Sequence, residues 1–206
     1  MGSSLYYQCI GINRTEEDLK NYPQMAGSGL GDYIYEDIDK NGKIDAKDML
    51  RSDLNTIPQI VFGLTGNFQY KNFDLSILFQ GQALARFHYT PLQAPLEGNI
   101  TKEMATQSWN LDRPDAKYGR INSTNNRKES TMWLRNAAFL RLKNVELGYN
   151  LPSNALKSVG IKGLRIYVGG YNLFTITGLK ELDPETNNTA TYPLMRVFNT
   201  GVKVTF

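Results

Sequence analysis

The chain is poor in the residues that most often carry chemistry. One cysteine, Cys9, and one histidine, His88, stand alone in 206 residues. A lone cysteine excludes an internal disulfide framework and a cysteine-rich zinc site. A lone histidine, with no second histidine or cysteine to join it, is a poor metal ligand or general base and reads as a loop residue. Lys and Arg total 23 against 20 Asp and Glu, a formal charge of +3. These charges are scattered, and no basic run tracks a phosphate backbone, so nucleic acid is not expected as a partner. No run of about 18 apolar residues occurs, which excludes a transmembrane helix. Met1-Gly-Ser-Ser4 lacks both the charged and the apolar region of a leader, so no signal peptide is expected. Neither absence excludes a β-barrel, whose strands cross a membrane without apolar runs.

What the chain does have is an acidic turn and long stretches of alternation. Asp37–Asp48 reads DIDKNGKIDAKD. A calcium loop sets oxygen ligands at alternating positions around a glycine bend. The candidate ligands are Asp37, Asp39, Asn41, Lys43 through its carbonyl, Asp45 and Asp48, with Gly42 at the bend and Ile44 as an inward apolar anchor. The twelfth position is Asp where an EF-hand takes Glu, and the preceding Gly31-Asp-Tyr-Ile-Tyr-Glu36 alternates as a strand does. The same residues also suit a metal-free turn held by its own side chains. On either reading the role is structural, and calcium is the one cofactor the sequence implies.

From Val61 the period becomes two. Phe62, Leu64, Phe68 and Tyr70 share a face, as do Phe73, Leu75, Ile77 and Phe79 across the two-residue break Lys71-Asn72. Strands are expected at about 61–70, 73–81, 138–150, 163–174 and 196–206. Arg141 and Lys143 fall on the nominally apolar face of the third, which requires either a bulge or emergence from the apolar zone. A long stretch at 82–137 has little periodicity, and Arg113, Arg120, Arg127, Lys128 and Arg135 along it read as a solvated surface. The connections at 71–72 and 151–163 are short or compact, while those at 82–137 and 175–195 are long. In an antiparallel series that places short connections at one end and long ones at the other, as in outer-membrane barrels. Tyr70, Phe73, Tyr149 and Phe206, near strand ends, fit an aromatic girdle at a membrane interface.

Several segments resemble one family. Gly31 to Asp45, Tyr70-Lys-Asn-Phe-Asp-Leu-Ser-Ile-Leu-Phe-Gln-Gly81, Leu140-Arg-Leu-Lys-Asn-Val-Glu-Leu-Gly-Tyr149, Asn172-Leu-Phe174, Leu182-Asp-Pro-Glu185, Tyr192-Pro193 and the terminal Phe206 look like the C-terminal part of SusC/RagA-type TonB-linked outer-membrane transporters. The resemblance spans nearly the whole chain. It implies an all-β fold: antiparallel C-terminal strands of a transmembrane barrel of about 22 strands, with long extracellular loops. The plug domain of the family is absent from this chain, which reads as one piece of such a protein. Residues 1–60 would be an extracellular loop region and 61–206 a partial barrel.

The resemblance further implies import of oligosaccharides, other glycans or peptides across the cell outer membrane, with no catalytic residues. The implied partners are a SusD-like surface lipoprotein, the TonB complex through the N-terminal region, outer-membrane lipid, and the barrel-assembly machinery through the last strand. Trp109 and Trp133 are candidates for stacking on sugar rings, or else pack within the long loops. A second reading is a soluble, calcium-stabilised β-sandwich carbohydrate-binding module. A third, a hydrolase built on Asp183 and Glu185, rests on spacing alone, which does not make an acid–base pair.

Overall fold

The structure is a computed structural model that describes residues 4–53, 56–89, 100–156, 160–180, 182–186 and 191–206. In chain order the elements are β1 (Leu5–Tyr7), β2 (Cys9–Ile12), α1 (Glu16–Asn21), β3 (Tyr33–Tyr35), β4 (Met49–Arg51), β5 (Ile60–Tyr70) and β6 (Phe73–Ala83). There follow β7 (Arg86–His88), α2 (Lys102–Gln107), β8 (Leu134–Asn136), β9 (Phe139–Asn150), α3 (Ser153–Leu156), β10 (Gly163–Thr177) and β11 (Val197–Thr205). They divide into two compact units: residues 1–56 with 87–135, and 57–86 with 136–206.

The second unit is a five-stranded antiparallel sheet in the order β11-β10-β9-β6-β5. The five expected strands all appear, β10 three residues longer than expected at its C-terminal end. Each strand pairs with the next strand of the sheet along the chain, so the whole excursion from β7 to β8 is inserted into one hairpin between β6 and β9. The β5–β6 turn, where Tyr70 pairs Phe73, shares an end with the β9–β10 connection, where Asn150 pairs Arg165. The long connections leave from the other end. Part of the compact 151–163 connection (157–159) and parts of the two long ones (90–99, 181 and 187–190) lie outside the described residues.

Register carries the alternation across the sheet. Phe68 pairs Leu75, Leu75 pairs Leu147, and Leu147 pairs Val168; two residues on, Ile77 pairs Val145. Direct partners project to one side, so these residues form one continuous apolar face. Asn67, Ser76, Glu146, Gly169 and Asn199 form a matching row on the other face. The apolar face is uncovered in this chain: Leu64 is 66% exposed, Phe68 62%, Ile176 62% and Phe198 75%. The sandwich alternative needs a second sheet about 10 Å away, and among the described residues this unit holds a single sheet.

The misplaced cations of β9 are explained by a bulge. Leu78 pairs Asn144 but Phe79 pairs Leu142, so Lys143 is the extra residue, and β10 shows its own irregularity between Tyr171 and Phe174. One extra residue reverses the side-chain parity. Leu140 and Leu142 therefore share the apolar face with Val145, Leu147 and Tyr149, and Arg141 pairs Gln80 and Thr175 on the polar one.

The other unit joins segments that the sequence reading kept apart. Tyr33 and Tyr35 come from one segment and Met104, Tyr118 and Trp133 from the other, and all five are under 2% exposed. Trp133 stacks parallel to Tyr118 at 6.4 Å and meets Tyr33 edge-on at 5.9 Å. Asn126 is the polar hub. Its side-chain oxygen accepts the Tyr33 N–H (2.7 Å), its amide donates to the carbonyls of Gly31 (3.1 Å) and Arg120 (3.0 Å), and its own carbonyl accepts the Trp133 indole N–H (3.1 Å). Such side-chain bonds satisfy backbone groups that the short strand ladders leave unpaired. Thr15 and Asp18 form a capping box at the start of α1.

Candidate functional site

The acidic turn connects two short strands, β3 and β4, with no flanking α-helix. Gly42 adopts φ +80°, the left-handed bend the spacing requires. Ile44 is buried, as its anchoring role demands. Asp37, Asp39 and Asp48 bring one carboxylate oxygen each within 4.8 Å of one another. Asp37 accepts the N–H groups of Asn41 (3.2 Å) and Gly42 (2.7 Å). Fully buried Asp48 accepts those of Ile38 (2.8 Å) and Asp45 (2.8 Å). The Asp45 N–H, ahead of those of Ile38 and Asp39, holds the Asp48 carboxyl below the usual carboxylate range despite its burial.

A carboxylate oxygen has two lone pairs, so these bonds do not exhaust the acceptor capacity of the three carboxylates, and an all-oxygen donor set suits a hard divalent cation. The Asn41 side chain is engaged within the turn, its amide donating to Asp39 (2.9 Å) and its oxygen accepting the Lys43 N–H (2.8 Å). Asp45 lies outside the three-carboxylate group. It caps the 3-10 turn Ala46–Asp48 by accepting the Lys47 N–H at 2.8 Å.

The girdle residues fall at one end of the sheet. Tyr70 pairs Phe73 and Phe73 pairs Tyr149, whose rings meet at 4.8 Å; the row continues through Ile166 to Val202. Phe206 follows β11 at the same end and is 80% exposed. On the polar face near that end, Asp74 and Arg165 form an ion pair, and Arg165 also reaches Glu146 at 2.8 Å. Higher on that face Arg141 binds Asp183 and Glu185, a cluster the sequence reading did not assemble. The one signal for it was that Arg141 broke the alternation.

The aromatic candidates separate. Trp133 has no exposed surface and gives its indole N–H to Asn126, so the expectation of sugar stacking is corrected there: it is a core residue. Trp109 is half-buried at a surface hollow of about 530 Å³, beside Leu111, Asn110, Asp112 and Asn122. The basic residues of the long loop are not all solvated. Arg120 clamps buried Asp32 through two bonds of 2.6 and 2.8 Å, and Arg135 donates to the Met132 carbonyl at 2.7 Å. His88 lies 2.9 Å from a Glu129 oxygen, with its pKa pushed down by burial against the opposing pull of that carboxylate.

No protein-family model matches the chain. Its sequence is 28% identical to the TonB-dependent receptor P3 of Formosa agariphila, over 100% of this chain and 22% of that protein. It is 27% identical to the TonB-dependent receptor SusC of Bacteroides thetaiotaomicron, over 84% of this chain and 19% of that protein. The chain is related to the SusC/RagA-type TonB-dependent receptors. The fold agrees: the chain superposes on the solved RagAB peptide transporter with a TM-score of 0.75 at 24% identity, covering 99% of this chain and 22% of that one. On RagAB in its open-open state the TM-score is 0.74 at 23% identity.

These relatives are receptors and importers rather than enzymes, and the relationship places this chain in the outer membrane. The chain spans about a fifth of the length of the relatives it matches. No described helix is long and apolar enough to cross a membrane.

Proposed function

We infer that this chain forms wall strands and outer loops of a TonB-dependent importer. The observation that carries the reading is the predominantly apolar face running through five strands of 9 to 15 residues, lengths that suit membrane-spanning strands. That face meets lipid, and the row of Asn67, Ser76, Glu146 and Asn199 lines a watery interior. The edge strands β5 and β11 pair with further strands of a closed barrel of about 22, because open edges in lipid leave backbone groups unsatisfied. Tyr70, Phe73, Tyr149 and Phe206 sit at the periplasmic interface, and the barrel-assembly machinery engages the last strand.

Residues 1–60 and the long loops lie outside the cell, where a calcium ion held by Asp37, Asp39, Asn41, the Lys43 carbonyl and Asp48 braces the acidic turn. A SusD-like lipoprotein covers the outer mouth, and the TonB complex supplies energy through the rest of the protein. The cargo is an oligosaccharide or a peptide; the solved relative RagAB is a peptide importer. Adjacent cysteines test the reading in the full-length protein in outer-membrane vesicles. A charged, water-soluble maleimide is expected to label Ser76→Cys and to spare Ile77→Cys, which a lipid-soluble reagent reaches instead. The reverse pattern would end the proposal.

A further inference from the structure

Two of the motifs that carry the family resemblance, 140–149 and 182–185, meet in space. The Arg141 side chain is only 3% exposed, yet every arm of its guanidinium is engaged. Nε donates to Thr175 Oγ1 at 2.8 Å, one terminal nitrogen to Glu185 at 2.8 Å and the other to Asp183 at 2.7 Å. Lys143, the bulge residue, adds 2.7 and 2.9 Å bonds to both oxygens of Glu185. Asp183 then ties in two further segments. Its carboxylate accepts the Glu185 N–H at 3.0 Å and the Leu194 N–H at 3.2 Å, while its carbonyl accepts the Thr186 N–H at 3.1 Å. From the far side, the Asn172 amide donates to the Met195 carbonyl at 3.2 Å.

Two cations and two anions thus balance, with Arg141 and Asp183 nearly closed to water at 3% and 8% exposure and Lys143 and Glu185 partly open at 28% each. Removing one partner there leaves an uncompensated buried charge. The bulge is what makes the site possible, since without it Arg141 would project to the apolar face.

We propose that Arg141 is a positioning residue that latches the β10–β11 connection onto the polar face of the sheet, making that connection a fixed part of the lining of the transport path. The inference rests on the reading of that face as the interior. Lys180 and Arg196 flank the latched segment and serve as trypsin sites in the full-length outer-membrane protein. Arg141→Gln and Asp183→Asn are each expected to speed cleavage there about tenfold, because proteolysis follows the population of the open form. Cleavage within residues 100–130 and the heat-modifiable mobility of the folded barrel stay as in the parent protein.

Arg141→Lys is expected to resemble Arg141→Gln, because an ammonium cannot reproduce the planar fork. Unchanged cleavage in the folded variants would overturn the latch, and so would equal acceleration in the 100–130 segment, which marks general loosening. If Arg141→Gln fails to assemble, Asp183→Asn decides, since that residue lies in the connection and not in the wall. The Ser76 and Ile77 labelling reports on the interior reading separately, so the two ideas can fail independently.

Discussion

Asp48 and Asp45 stand three residues apart in one turn, and the structure gives them different tasks. Asp48 is buried and joins Asp37 and Asp39, whereas Asp45 caps a helical turn through the Lys47 N–H. Three carboxylates this close repel one another, and a divalent cation offsets that repulsion. Chelation is therefore expected to raise protease cleavage at Lys40 and Lys43 about tenfold in the parent protein. In Asp37→Ala the cleavage is high whether calcium is present or not, while Asp45→Ala loses a cap worth about 1 kcal/mol and keeps its calcium response. Equal cleavage of the parent with and without calcium would reject the metal.

The pH dependence of the chelated turn follows from Asp48. Its folded pKa lies below the unfolded value of about 3.9, so its contribution is complete above about pH 4 and is lost as the pH falls through the folded value. Cleavage of the chelated protein should thus rise only in acid, as read with an acid-active protease.

At the scale of elements, the strands were legible because alternation leaves a trace in every second residue. Phe62 to Tyr70 and Phe73 to Phe79 need only local periodicity to be read, and their register then follows from the two-residue turn. The bulge could be stated only as an alternative, since Arg141 and Lys143 show that parity changes without showing which residue is extra. The other unit left little such trace beyond the alternation at 31–36, which marks β3. Asn126 and the Tyr33 backbone it serves are 93 residues apart, and nothing periodic marks Asn126. Trp133 was ambiguous for a related reason: an aromatic amid polar neighbours looks the same whether its ring faces a core or a ligand. Asp45 was ambiguous because a cap and a ninth-position ligand call for the same side chain.

One feature of the sheet could not be read from pattern at all. Gly148 lies between Asp74 and Arg165, and a Cβ there would collide with Asp74 Oδ2 and with the Arg165 guanidinium. The glycine is the space in which that ion pair forms. Gly148→Val should push the two flexible ends apart and cost about 1 kcal/mol or less, the scale of a partly exposed ion pair, and so slightly lower the temperature at which heat-modifiable mobility is lost. Gly178→Ala, with nothing within 4 Å of its added carbon, is the control expected to change nothing.

The arrangement of connections gives the proposed barrel wall an orientation. The turn containing Lys71 and the connection ending at Lys162 lie at the girdle end of the sheet, and both lysines are exposed. The excursion containing Lys102 leaves from the opposite end of β6, and the chain bearing Lys20 enters β5 at that same opposite end, where Ile60 pairs Ala83. Short turns in outer-membrane barrels face the periplasm and long loops face outward. Trypsin added to intact cells is therefore expected to cut at Lys20 and Lys102 and to leave Lys71 and Lys162 whole; permeabilising the outer membrane should expose the second pair. Cleavage at Lys71 in intact cells, with Lys102 protected, would invert the orientation and with it the placement of the acidic turn outside the cell. Cleavage at all four sites in intact cells would mean that no membrane separates the two ends, and the barrel wall itself would have to be given up.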